Sequence, residues 1–178
     1  MSGAGNTDNH RWTYGIRVIP GVVPRAQIRN TLTYRFHSRF TAGVEVNPRA
    51  EGSAKINPIA NLLVLQENSK RPALIVGTSS DRIGTPDGQS FYATLSKNLK
   101  EWTKLPIAPY GGVAYSTHDD RFLGVGGLNI YFTERFSGLV IFDGVRVHPL
   151  LNYNHGRHAF SFVLANGRDP GISYSIAF

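Results

Sequence analysis

Large apolar residues alternate with small or polar ones along almost the whole chain, most cleanly in the last eight residues, Gly171 to Phe178. Successive side chains of a strand point to opposite faces. Ile172, Tyr174, Ile176 and Phe178 therefore form one apolar face, and Gly171, Ser173, Ser175 and Ala177 a small, wettable one. The first run, Arg11 to Val18, sets Trp12, Tyr14, Ile16 and Val18 against Arg11, Thr13, Gly15 and Arg17. Ala26 to Phe36 sets Ile28, Leu32, Tyr34 and Phe36 against Arg29, Thr31, Thr33 and Arg35. Phe40 to Val46 sets Phe40, Ala42, Val44 and Val46 against Thr41, Gly43 and Glu45. The link His37-Ser38-Arg39 is short enough to make the last two runs a hairpin.

Runs of the same kind follow at Pro58–Gln66, Pro72–Thr78, Gln89–Ser96, Ile107–Thr117, Arg121–Thr133, Phe136–Phe142, Val145–Leu151, His158–Ala165 and the final segment. Gly, Pro, Asn and Asp separate them, and Ser79 to Gly88 is the most turn-like stretch of all. The middle pair, Pro58–Gln66 and Pro72–Thr78, is more uniformly apolar, and Pro149 interrupts Val145–Leu151. Helical periodicity is nearly absent. The pattern predicts an all-β chain: a closed antiparallel up-and-down barrel of 12 short strands, with 10 as the alternative count. Gly124, Gly126 and Gly127 lie inside one strand, where glycine permits the bends and close packing of a small closed barrel. Residues 1–10, MSGAGNTDNH, read as a flexible polar leader, and 11–178 as one barrel domain.

A single domain of this length leaves little material to cover so much apolar strand surface, and lipid is the simplest cover. Runs of this length reach across a bilayer when tilted, since about 9–11 residues are normally used. An even strand number puts both chain ends on the same side, as bacterial single-chain barrels require. Trp12, Tyr14, Tyr34, Phe36, Phe40, Phe91, Trp102, Tyr110, Tyr131, Phe132, Phe136 and Phe178 fall where amphipathic rings would anchor a barrel at the membrane interfaces. The transmembrane reading then turns Arg11, Arg17, Arg29, Arg35 and Glu45 toward the lumen, where charged groups must pair or be hydrated. Such a ladder either plugs the lumen or lines a slim, anion-favouring passage.

The net charge of +7, from 19 Lys and Arg against 12 Asp and Glu, suits an anionic membrane surface or a polyanionic glycan. The arginines are scattered singly through the strands, whereas an arm for nucleic acid clusters them, so no nucleic-acid partner is expected. The absence of cysteine excludes disulfides, thiolate metal sites and cysteine nucleophiles. No stretch of about 20 apolar residues forms a transmembrane helix. The first 30 residues lack the continuous apolar centre of a secretory signal, so export to an outer membrane would need a signal from elsewhere.

The terminal Tyr174-Ser175-Ile176-Ala177-Phe178, with the short-turn hairpins Leu32 to Val46 and Ile130 to Phe142, resembles the Gram-negative outer-membrane β-barrel class. The resemblance implies an outer-membrane location. It also implies recognition of Tyr174, Ile176 and Phe178 by the outer-membrane assembly machinery as a C-terminal signal. A fainter likeness joins Gly77 to Lys97, GTSSDRIGTPDGQSFYATLSK, to YjbH-type barrels linked to exopolysaccharide production. It brings in an exopolysaccharide as a partner beside the lipid bilayer, and loops this short, which leave little surface for a large external ligand, point to a partner protein.

Two histidine constellations invite hydrolytic chemistry. Ser116-Thr117-His118-Asp119-Asp120 holds a nucleophile, a base and carboxylates, but adjacent turn residues rarely converge on one point. Asn154-His155-Gly156-Arg157-His158 with Ser161 outlines the His and Ser of outer-membrane lipid hydrolases, yet a spacing of three puts His158 and Ser161 on opposite strand faces. His37-Ser38 diverges in the same way. The six histidines show no ligand spacing, and GVGG at 124–127 lacks the lysine and the strand-to-helix context of a phosphate loop. No catalytic residue, metal ligand or cofactor is assigned. The expected role is structural, partner-anchoring or pore-forming. The alternatives are a lipid hydrolase or protease barrel, or a soluble barrel that binds a polyanion.

Overall fold

A computed structural model describes residues 10–22, 27–48 and 55–178; the leader expected at 1–10 lies outside them except for His10. Twelve strands close into an antiparallel barrel in which each pairs with its sequence neighbours and β1 pairs with β12. They are β1 (Trp12–Val18), β2 (Ile28–His37), β3 (Phe40–Asn47), β4 (Lys55–Leu65), β5 (Ala73–Ser80), β6 (Gln89–Ser96), β7 (Ile107–Ser116), β8 (Arg121–Tyr131), β9 (Phe136–Phe142), β10 (Val147–His155), β11 (His158–Ala165) and β12 (Asp169–Ala177). A single helical turn, α1 (Lys100–Thr103), lies between β6 and β7. Strand number and closure agree with the alternation in the sequence. The seam is tied at its open end by reciprocal backbone bonds of 2.9 Å between Trp12 and Phe178.

Burial is inverted relative to a water-soluble sandwich. On β12 the small face, Gly171, Ser175 and Ala177, is buried, while Ile172 and Phe178 are exposed. The same phase holds on β11, where Ala159, Ser161, Val163 and Ala165 are buried and Phe160 and Phe162 are exposed. Glycine lets strands approach where the inward face is crowded: a Cβ on Gly43 would stand 2.0 Å from the Leu32 carbonyl oxygen, and one on Gly112 2.0 Å from that of Ala93. A side chain at either position would wedge two strands apart.

Three local departures have identifiable causes. β10 runs to His155, beyond the expected Leu151, and carries Pro149 without a break. Its ladder with β11 begins only at Leu150, so Pro149 pairs with β9 alone and its missing N–H interrupts no bond on the other side. β4 bulges between Leu63 and Leu65, which explains why alternation is blurred in the middle pair. Tyr110, expected at the membrane interface, instead shares the phase of the buried Ala114 and Ser116, and its ring lies against Gly127. It faces the interior, because the missing side chain at Gly127 leaves room for it there.

With both chain ends on one rim, the turns fall into two sets. The terminal rim carries the connections β2–β3, β4–β5, β6–β7, β8–β9 and β10–β11. The distal rim carries the other six. An eleven-residue strand such as β8 rises about 36 Å, or about 28 Å along the axis at a tilt of about 40°. This matches the apolar band of about 25 Å on membrane barrels.

Candidate functional site: the lumen wall and the strapped mouth

The charged residues of the lumen gather on one wall. Arg17 on β1 stands directly across from Arg29 on β2, a like-charged pair that costs energy unless neutralised. Glu45, from β3, supplies the neutralising charge: its Oε2 accepts from Arg29 Nε at 2.6 Å and lies 2.5 Å from Arg29 Nη2. Its Oε1 accepts from Asn47 Nδ2 at 2.8 Å. Glu45 and Asn47 are each 1% exposed, so this carboxylate depends on those partners rather than on water. Arg35 shares the inward phase of Arg29 and is half-buried. The opposite wall carries no Lys, Arg, Asp or Glu pair like this one and mixes the buried Leu123, Leu139 and Val163 of β8, β9 and β11 with the buried His148 and Ser161.

Of the five residues expected to face inward, Arg17, Arg29, Arg35 and Glu45 share the lumen side of β1–β3. Arg11 stands apart: it lies beyond the start of β1, exposed at the rim, and its Nη1 donates to the hydroxyl of Tyr34 at 3.3 Å. Tyr34 belongs to the outward aromatic row Trp12–Tyr34–Phe36–Phe40, whose neighbouring ring centroids are 4.8, 4.8 and 5.6 Å apart. Tyr174, Ile176 and Phe178, expected as the assembly signal, lie on the outer face of the closing strand.

The distal mouth is crossed by the β5–β6 loop, Asp81–Gly88. Ile83 at its centre packs with Leu150 against the fully or nearly fully buried Ile19, Val22, Val163 and Ala165. In the closed strand order β11 is six places from β5, so the loop and the β1–β2 connection meet across the opening. Polar bonds fasten the loop to the β7–β8 turn. Asp81 accepts from Ser116 Oγ at 2.6 Å and from the backbone N–H of His118 at 3.2 Å. Arg82 forks onto Asp119 at 2.8 to 3.0 Å. His118 Nδ1 meets Asp87 at 2.8 Å, and Thr85, itself buried, donates to the Arg82 carbonyl at 2.9 Å. The Arg82 hydrogen bonds hold the Asp119 carboxyl below the usual carboxylate range despite some desolvation.

A second fastening closes the β9–β10 turn. His148 Nε2 lies 2.8 Å from Asp143 Oδ2, and its Nδ1 accepts the Asn166 N–H at 3.0 Å from the neighbouring β11–β12 turn. Burial raises the pKa of Asp143, but the bonds from His148 and from the backbone N–H groups of Arg146 and Val145 outweigh it and leave the carboxyl lowered.

This geometry accounts for both histidine constellations. Ser116, His118, Asp119 and Asp120 are bonded separately, to Asp81, Asp87, Arg82 and Tyr115 respectively, so the turn assembles no Ser–His pair. His158 points outward to the Tyr174 hydroxyl at 2.8 Å, whereas Ser161 is buried on the inner face. His37 receives the Arg39 N–H at 3.2 Å in an exposed turn. Among the described residues no group of three His, Cys, Asp or Glu converges as a metal site.

The sequence does not announce the strap. Ser79 to Gly88 has turn composition throughout, and its one available signal is Ile83, an isolated apolar residue in an otherwise polar stretch.

No family model matches the chain, and no curated protein matches its sequence.

Proposed function

We propose that this chain is an integral barrel of a bacterial outer membrane with a structural or partner-anchoring role, its distal mouth held shut by the β5–β6 strap. One observation carries the reading. The largest apolar side chains face out, with Phe122 74% and Ile172 66% exposed, while Glu45, Asn47, Ser116 and His148 are 2% exposed or less. Exposed apolar patches on water-soluble monomers are limited to a few hundred Å², and here the apolar surface runs around the whole cylinder.

The outer surface also fits acyl chains in shape. Phe40, Leu62, Phe91 and Phe122 border a shallow groove of about 490 Å³ floored by Ala60 and Ala93. A second groove of about 590 Å³ lies among Ile16, Leu151, Phe162 and Ile172. Closure pairs every strand on both sides, which leaves no open sheet edge to face lipid among the described residues.

The second reading, a narrow anion-favouring pore, is favoured by the three arginines against one glutamate on the lumen wall. It requires the strap to leave the mouth. The two readings differ in planar bilayers: a strapped barrel is silent across voltage, and a pore gives discrete anion-selective steps. The membrane reading as a whole is tested by refolding from urea. The barrel should form with detergent or lipid and stay unfolded or aggregate without them. A folded, monodisperse monomer in plain buffer would overturn it.

A further inference from the structure

The excess of positive charge lies on one rim. Among the described residues the turns and chain start of the terminal rim bear nine Lys and Arg against three Glu. In the sequence the distal connections and strand ends balance, with seven Lys and Arg against seven Asp and Glu. The terminal cations are distributed rather than gathered: Arg11, Arg39, Arg71, Lys104, Arg135 and Arg157 place one on the chain start and one on each of the five turns, all exposed.

Immediately inside this ring lie aromatic groups of the outer face. Trp12, Tyr34, Phe36 and Phe40 continue around the barrel to Phe136, Tyr153, Phe160 and Tyr174, with centroid spacings of 4.8 Å for Phe136–Tyr153 and 5.1 Å for Phe160–Tyr174. The helical turn α1 adds Trp102, 64% exposed, between Lys100 and Lys104, and the Lys97 ammonium sits 5.2 Å from its ring. Aromatic rings settle at the level of lipid headgroups, and cations just beyond them meet the phosphates.

Building on the membrane reading above, we propose that the terminal rim binds anionic phospholipid headgroups of the leaflet it faces and concentrates them around the barrel. The placement of the cations selects this partner over a soluble polyanion. A polyanionic chain is best held by a stripe or a patch on one face, whereas a complete circle at constant height matches a headgroup plane. The distal rim has no such excess of cations, so the charge difference also fixes which end of the barrel carries the annulus.

The chain's only tryptophans, Trp12 and Trp102, lie at this rim and report on it directly. The test is quenching of their fluorescence in folded protein reconstituted in phosphatidylcholine vesicles containing phosphatidylglycerol, with bromine on the acyl chains of one lipid or the other. Brominated phosphatidylglycerol should quench as though enriched about fivefold near the rim. The preference should weaken at high salt and fall toward parity when Arg39, Arg71, Lys104 and Arg135 are together replaced by Gln. Equal quenching by the two lipids would overturn the proposal and leave the membrane reading standing, whereas no quenching by either would remove the membrane reading itself. Binding of soluble dextran sulfate without any phosphatidylglycerol preference would assign the ring to a soluble polyanion and also overturn it.

Discussion

Ser116 Oγ donates to Asp81 at 2.6 Å, joining the last residue of β7 to the first residue of the loop that crosses the distal mouth. Both groups are buried, at 1% and 7% exposure, so neither has bulk water as a replacement partner. The bond acts as the hinge pin of the strap, and the Arg82–Asp119 fork one residue on is its latch.

Replacing Asp81 with Ala, together with Arg82 by Ala, removes pin and latch but leaves Ile83 in place. The native barrel should be silent in planar bilayers, and the double variant should show flickering, anion-favouring steps. A variant as silent as the native protein would show that the Asp81 and Arg82 bonds are not what holds the mouth closed, leaving the packing of Ile83 and the His118–Asp87 contact.

Glu45 pairs with Arg29. Glu45→Gln keeps the shape but removes the counter-charge of Arg29 in a largely buried site, and should cost about 3 kcal/mol. Urea unfolding in detergent micelles would register this as a lower midpoint at unchanged slope. An unaltered midpoint would mean that lumen water already screens the pair.

Acid should loosen the distal rim. The folded carboxyls of Asp119 and Asp143 are held below their ordinary values, so their contribution is complete above the unfolded pKa of about 4 and is lost as pH falls through the lower folded values. Thermal midpoints in detergent should be level between about pH 7 and 5 and drop below about pH 4. Asp143→Asn should flatten part of that drop. Stability that rises on acidification would contradict the assignment.

Val44 sits on the outer face between the inward Gly43 and Glu45 and is exposed. In lipid, Val44→Arg should cost about 2–4 kcal/mol, the penalty for a cation near mid-bilayer on a barrel exterior. On a water-exposed surface the same change stays within about 0.5 kcal/mol. Unfolding of the variant in vesicles separates the two cases.

Much of this architecture was legible in the sequence because a period of two is a direct imprint of two solvents. Gly171 to Phe178 alone states which atoms face in, and the phase of β1 to β3 follows from Trp12, Leu32 and Val44 in the same way. The legibility fails where backbone, rather than side-chain pattern, decides. Tyr110 turns inward because Gly127, on the neighbouring strand, makes room for its ring. Pro149 stays within a strand because β10 has only one partner there. The strap was invisible for a related reason: Asp81, Arg82 and Asp119 have turn composition whether a loop points to water or folds over a mouth. Only the pairing of Ser116 with Asp81, 35 positions apart, separates the two. Arg11 shows the limit of strand phase at an end, since one residue beyond β1 it swings to the rim and bonds Tyr34.

Whether the outer face lies in hydrocarbon is tested most directly by a probe at one outward and one inward position. The native chain has no cysteine, so Val113→Cys and Ser175→Cys each carry a single fluorophore, in vesicles of lipid brominated midway along the acyl chain. Strong quenching at position 113 with little at 175 is expected of a barrel turned inside out toward lipid. Equal and weak quenching at both, with each label reached by an aqueous quencher, would contradict it.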